Sequence, residues 1–332
     1  MALPAYRWQE REATRHKLYN VVRHHSYNST ILQTCVWSLC ADPLCDNSIA
    51  ISQQYALPAL ISVAFDASFR LETSDLNEKE ARAMTSLPLP SALSLAERRI
   101  CVTGAASGIG RATAHAAVDL GAMLLLNDMA PLSDVQKELE AKGAKVDVLQ
   151  GDLTEDNFAE KLIAKGPIHG LAHCAGILGR TPLQDSDNLR ERFSKTMDVN
   201  VRVPIELGLA FTDHMAENGG GSIVMIGSVA GRTGGTALST PLDYSASKGA
   251  VHVIIRWLSR HAVGRNVLIN GVAPGPIQTA MTAGSKVDAA ALPRGRMGEA
   301  DEIAWLIMML LTPAASYVSG AVLDCNGGSY VG

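Results

Sequence analysis

Tyr244 and Lys248 stand four residues apart in the run Asp243-Tyr-Ser-Ala-Ser-Lys248, so on a helix they share one face. A phenol beside an ammonium can handle a proton. Tyrosine titrates at about 10, too high for a base at neutral pH, and a neighbouring cation favours the phenolate. Such a group can take the hydroxyl proton of an alcohol as hydride leaves its carbon, or return it in the reverse reaction. Alone, the pair is better explained by an exposed amphipathic helix. A second element upstream changes the balance: Thr103-Gly104-Ala105-Ala106-Ser107-Gly108-Ile109-Gly110, followed at once by a helical pattern. Glycines allow a sharp turn and close backbone approach. The helix start adds unpaired N–H groups and the positive end of its dipole, a site suited to a dinucleotide pyrophosphate.

Four more residues fit the same chemistry. The run Met123-Leu-Leu-Leu-Asn-Asp128 ends in a carboxylate about twenty residues beyond the glycines, where it can accept from an adenosine ribose and repel a 2′-phosphate. Ala106 and Ser107 supply no cation for that phosphate, so the expected cofactor is NAD(H) rather than NADP(H). Asp152, in Gly151-Asp-Leu-Thr154, can bond the adenine amino group or cap the following helix. Ser228 closes the strand-like run Ile223-Val-Met-Ile-Gly-Ser228, where its hydroxyl can orient a substrate oxygen. Asn200, in Met197-Asp-Val-Asn-Val201, can hold a water that relays protons from Lys248; as an isolated residue it would be helix surface or a local bend.

The elements that must position these residues alternate. Apolar runs at 100–103, 122–127, 146–150, 168–174, 222–226, 267–272 and 321–324 are interleaved with helical patterns at 108–119, 132–141, 156–165, 188–217, 244–263 and 300–311. Strand-helix alternation requires crossover connections and a parallel sheet covered on both faces, and several runs are apolar throughout, as buried parallel strands should be. The expected fold is a doubly wound, Rossmann-like α/β domain of about seven strands over residues 96–332.

The Thr-Gly-x-x-x-Gly-x-Gly turn, Asn200, Ser228, Tyr244-x-x-x-Lys248 and the Pro274-Gly275 step together resemble the classical short-chain dehydrogenase/reductase family, from about residue 98 to the end. The resemblance implies a tetrad of Asn200, Ser228, Tyr244 and Lys248, with Tyr244 as acid/base and Lys248 also holding the nicotinamide ribose. It further implies cofactor contacts at Gly104, Ser107, Gly108, Ile109, Gly110, Ala175, Gly176, Ile277 and Thr279, and a homotetramer built on the 188–217 and Tyr244 helices and the last strand. The chain departs from the family in three ways. Cys174-Ala175-Gly176 stands where Asn-Ala-Gly is usual, so the backbone groups that the asparagine would tie must be met otherwise. Ser228 and Tyr244 lie sixteen positions apart, a few more than typical, which places a longer loop beside the site. The segment before residue 96 has no counterpart.

Bulk properties exclude several classes. Hydrophobic residues at 47% and charged residues at 19% suit a packed core, a net charge of -4 offers no nucleic-acid surface, and no apolar run is long enough for a membrane helix. Six cysteines without a CxxC pair suit a reducing cytosol, and Cys35, Cys40 and Cys45 match no common metal spacing, so no metal is expected. Residues 1–95 read as an irregular extension ending in Ser86-Leu-Pro-Leu-Pro-Ser91. The absence of acidic residues from Ala13 to Ala41 resembles a transit segment, but Met84 as the initiator is the more economical expectation. The substrate expected is a secondary alcohol or ketone, neutral or singly charged, with Arg232 and Arg294 as the candidate carboxylate partners. Two other functions remain open: an NADPH-dependent 3-oxoacyl-thioester reductase, suggested by Gly295-Arg-Met-Gly-Glu-Ala-Asp-Glu-Ile303, and a non-catalytic NAD sensor or scaffold.

Overall fold

Alternate residues of each central strand enter different cores, which is what a sheet buried on both faces demands. Ile100 and Val102 of β1 (Arg99–Thr103) join one core, and Cys101 the other. The same alternation separates Leu124 and Leu126 from Leu125 in β2 (Met123–Asn127), and Val224 and Ile226 from Ile223 and Met225 in β5 (Gly221–Ile226). This computed structural model describes residues 90–179, 189–235, 240–283 and 287–332. They fall within one compact unit, Ser86–Gly332. The extension, its cysteines and Met84 lie outside the described residues, except that Leu95 is fully buried and its N–H donates to Leu120 O at 2.8 Å.

The sheet has seven strands in the order β3-β2-β1-β4-β5-β6-β7, each adjacent pair parallel. The remaining strands are β3 (Val146–Val148), β4 (Gly170–His173), β6 (Val267–Pro274) and β7 (Val322–Cys325). Helices α1 (Gly108–Asp119), α2 (Ser133–Ala141) and α8 (Ala300–Leu311) cover the first core. Helices α3 (Phe158–Ile163), α5 (Val203–Glu217) and α7 (Leu242–His261) cover the second. Strand order reverses between β1 and β4, and open α/β sheets bind ligands at the carboxyl ends of the strands beside such a switch.

The 188–217 pattern, expected as one helix, is divided. α4 (Leu189–Met197) runs into a π-helical turn, Asp198–Arg202, before α5 begins. A π turn admits an extra residue per turn and frequently marks a functional position; here it carries Asn200. A four-residue helix, α6 (Ala230–Thr233), follows Ser228 and was not expected. Among the described residues no helix is long and apolar enough to cross a membrane, and no group of His, Cys, Asp and Glu could hold a metal ion.

Candidate active site

Each glycine of the β1–α1 turn has a separate steric reason. Gly104 has a φ of 68°, and a Cβ there would lie 2.8 Å from the Ala175 backbone nitrogen. Gly108 has a φ of 52° and packs on the Thr279 side chain. A Cβ on Gly110 would collide with the Gly104 carbonyl oxygen. The turn is therefore folded onto itself and pressed against the end of β4. Ser107, the N-cap of α1, makes no side-chain capping bond, so the first turn keeps its amides for a ligand. A cavity of about 720 Å³ follows this turn. Gly104, Ser107, Gly108, Ile109, Gly110, Asp128, Asp152, Ala175, Gly176 and Thr279 all line it, and a dinucleotide fits such a cradle.

Asp128 is fixed in place just past the end of β2. Its Oδ2 accepts from the Ala106 N–H and its Oδ1 from the Ala130 N–H, both at 2.9 Å. It thus forms a local turn and braces the glycine turn at once. Asp152 Oδ1 accepts from the amide and hydroxyl of Thr154, at 2.9 and 2.8 Å. The expected alternative of a helix cap is corrected here: α3 starts six residues later, behind Asn157.

The missing asparagine at 174 is replaced by a pair one residue earlier. Thr103 and His173 are register partners on β1 and β4, and Thr103 Oγ1 lies 2.9 Å from His173 Nδ1. The same hydroxyl accepts from the Ala175 N–H at 3.3 Å, tying the two strand ends. Burial, then the Lys248 charge, pushes the His173 imidazole down to about 3, so it is neutral at ordinary pH. Burial pushes the Cys174 thiol up to about 12, which keeps it a thiol.

The four tetrad residues gather beside the cavity, behind Gly176, and none of them is among the residues that line it. Asn200 is buried, and its side chain grips Ile177: Oδ1 accepts from the Ile177 N–H and Nδ2 donates to the Ile177 carbonyl, each at 2.9 Å. Nδ2 also donates to Ser247 Oγ at 3.1 Å, and Ser247 in turn donates to the Tyr244 carbonyl at 2.7 Å. The side chain expected to hold a relay water is therefore engaged in clamping the 174–177 segment to α7. Lys248 is buried, its Nζ donating to Ile226 O at 2.7 Å and lying 5.8 Å from the Tyr244 ring centre. Burial brings Lys248 down to about 8. A Cβ on Gly176 would fall 3.3 Å from Asn200 Oδ1 and 3.4 Å from Lys248 Nζ, so both groups abut the cavity wall.

Tyr244 departs from the expectation of a phenolate. Burial raises its pKa, and only a hydrogen bond with Ser228 opposes this, so without bound cofactor it is a phenol at neutral pH. Ser228 is buried, and its Oγ accepts from the Ala230 N–H at 3.1 Å. The Pro274-Gly275 step links three segments, since Pro274 O accepts from Val229 N–H and Gly275 N–H donates to Cys325 O. Ile277 is buried, and its side chain lines a second cavity beside β7 rather than the first. Neither arginine expected to meet a carboxylate reaches the main cavity. Arg232 donates to Asp324 and to Val322 O, both at 2.8 Å, while Arg294 lines the second cavity.

Comparisons with known proteins agree with the fold. A family model described as enoyl-(acyl carrier protein) reductase matches residues 104–330. Galactitol 2-dehydrogenase (L-tagatose-forming) of Cereibacter sphaeroides is 36% identical over 68% of this chain and 92% of its own length. A 3-oxoacyl-(acyl-carrier-protein) reductase of Thermotoga maritima is 31% identical over 70% of this chain and 98% of its own. Among solved structures, an NAD(P)-dependent gluconate 5-dehydrogenase from Beutenbergia cavernae, with NADP bound at low occupancy, is 34% identical. It covers 72% of this chain and 98% of its own, with a TM-score of 0.67.

Proposed function

The chain belongs to the classical short-chain dehydrogenase/reductase family, and we propose that it interconverts a secondary alcohol and a ketone with NAD(H) as the hydride carrier. The observation that carries this reading is that Asn200 and Lys248 meet behind Gly176, which lines the cavity that begins on the glycine turn. The Tyr244 ring centre lies 5.8 Å from Lys248 Nζ, with the Ser228 hydroxyl near the phenol. When bound, the nicotinamide accepts or donates the hydride. The chain supplies the rest. Ser228 Oγ orients the substrate oxygen, and Tyr244 gives its phenol proton to that oxygen during reduction, or as phenolate takes the hydroxyl proton during oxidation. Lys248 holds Ile226 O and stands ready for the nicotinamide ribose, and Asn200 holds the 174–177 wall against α7.

Asp128 supports NAD over NADP. Its carboxylate is pinned on two amides, so admitting a 2′-phosphate would mean either bringing two anions together or orphaning the Ala106 N–H. Preference for NAD⁺ by about a hundredfold in kcat/KM is expected, and Asp128→Ser should remove most of it. A wild-type preference for NADP⁺ in paired assays would refute the argument. It would also favour the second reading, an NADPH-dependent 3-oxoacyl-thioester reductase, which the matched family model and the Thermotoga maritima relative keep in view.

A homotetramer is part of the proposal. Val253 and Trp257, one turn apart on α7, are 63% and 57% exposed, and Ile205 on α5 is also exposed. Apolar side chains at helical spacing suit a helix-to-helix interface, and β7 leaves the sheet an open edge. Light scattering on the purified full chain should give four times the monomer mass at micromolar concentration; monomer alone would sink the idea.

A further inference from the structure

Past the end of β4, one edge of β5 has no strand beside it among the described residues. The Gly227 and Val229 amides donate to Val272 and Pro274 carbonyls, so residues 227 and 229 face β6. Alternate residues of a parallel strand face opposite neighbours, so Ile226 and Ser228 turn toward β4. The pairing of β4 with β5 ends at His173 and Met225, leaving the Ile226 carbonyl and the Ser228 amide inside the protein without a ladder partner. Helix α7 meets both: Lys248 Nζ donates to Ile226 O at 2.7 Å, and the Ser228 N–H donates to His252 Nε2 at 3.4 Å. Tyr244, Lys248 and His252 recur every four residues, so one face of α7 carries all three. A Cβ on Gly227 would collide with His252 Nε2, so only glycine lets the imidazole reach the strand.

We infer that His252 is a positioning residue that fixes Ser228, and through it Tyr244, by accepting the Ser228 amide; this rests on the oxidoreductase reading above. Ser228 Oγ must keep one orientation to meet Tyr244 while it accepts from Ala230 N–H. A backbone anchored on both sides, by β6 at 227 and 229 and by His252 at 228, denies it others. The role requires a lone pair on Nε2 and the proton on Nδ1. His252 is buried, and burial first, then the cations Arg232, Arg256 and Lys248 against Asp324 alone, hold its pKa down to about 4. It therefore stays an acceptor throughout the neutral range.

The test compares His252→Leu and His252→Gln with wild type in the full chain. Leucine fills the space and offers no acceptor; glutamine restores a carbonyl. With an alcohol that wild type turns over, His252→Leu should lower kcat about tenfold, leave NADH affinity by fluorescence unchanged, and be largely rescued by His252→Gln. Wild-type turnover in the leucine variant, or equal losses in both variants, would overturn the inference. Hydrogen exchange at the Ser228 amide separates this from the activity reading. It should be slow in wild type and at least tenfold faster in His252→Leu, even if no substrate is turned over. Rapid exchange in wild type would refute the role of His252 without any variant.

Discussion

Tyr244→Phe is expected to lower kcat by about a thousandfold while NADH affinity stays within a factor of two. The substitution keeps the ring beside Lys248 and removes only the hydroxyl near Ser228. His173 is neutral and tied to Thr103, and Cys174 is held as a thiol, so neither replaces the phenol as the proton carrier. Burial keeps the Tyr244 phenol protonated, which gives the two directions opposite pH trends. Ketone reduction uses the acid form and should fall as pH rises through the pKa of the phenol in the complex. Alcohol oxidation uses the base form and should climb with pH over the same range. Steady-state profiles in both directions check this, and alcohol oxidation that slows as pH rises would contradict it.

Gly110→Ala is expected to weaken NADH at least a hundredfold. The new Cβ would meet the Gly104 carbonyl oxygen, a backbone atom that can yield only if the turn opens. Opening it separates Gly104 from Ala175 and spoils the cradle at the start of α1. Gly143→Ala is the control without a clash. Gly143, unlike Gly110, has a positive φ, at 85°, but a Cβ there meets nothing within 4 Å. It should lose about 1–2 kcal/mol of stability from strain and keep full NADH affinity. Equal NADH affinity in the Gly110 and Gly143 variants, by fluorescence titration, would remove the steric account of the turn.

What could be read in the sequence, and what could not, divides on range. The 108–119 and 300–311 helices begin and end where the pattern placed them, because glycine punctuation and apolar periodicity are local signals. The 188–217 helix was legible as helix but not as interrupted, since a one-residue slip into a π turn barely disturbs its apolar spacing. The four-residue α6 is too short for any periodicity. At the site, the glycine turn, Asp128 and the Tyr244–Lys248 pair announce themselves by spacing. Their partners do not. That Thr103 answers the missing asparagine follows only from its register with His173, seventy residues away. Asn200 clamping Ile177, and Arg232 paired with Asp324 instead of facing a substrate, are likewise contacts between distant segments. His252 drew no notice because a histidine on an apolar helix face looks like ordinary core until the end of β4 is known.

The most direct test of the central claim is nicotinamide absorbance with the full chain, NAD⁺ and NADP⁺ in parallel, across a panel of secondary alcohols. The account predicts that reduced nicotinamide accumulates with NAD⁺ and at least one alcohol. No accumulation with either cofactor, from a protein that binds NADH tightly, would contradict it and leave a chain that holds the nucleotide without reacting it.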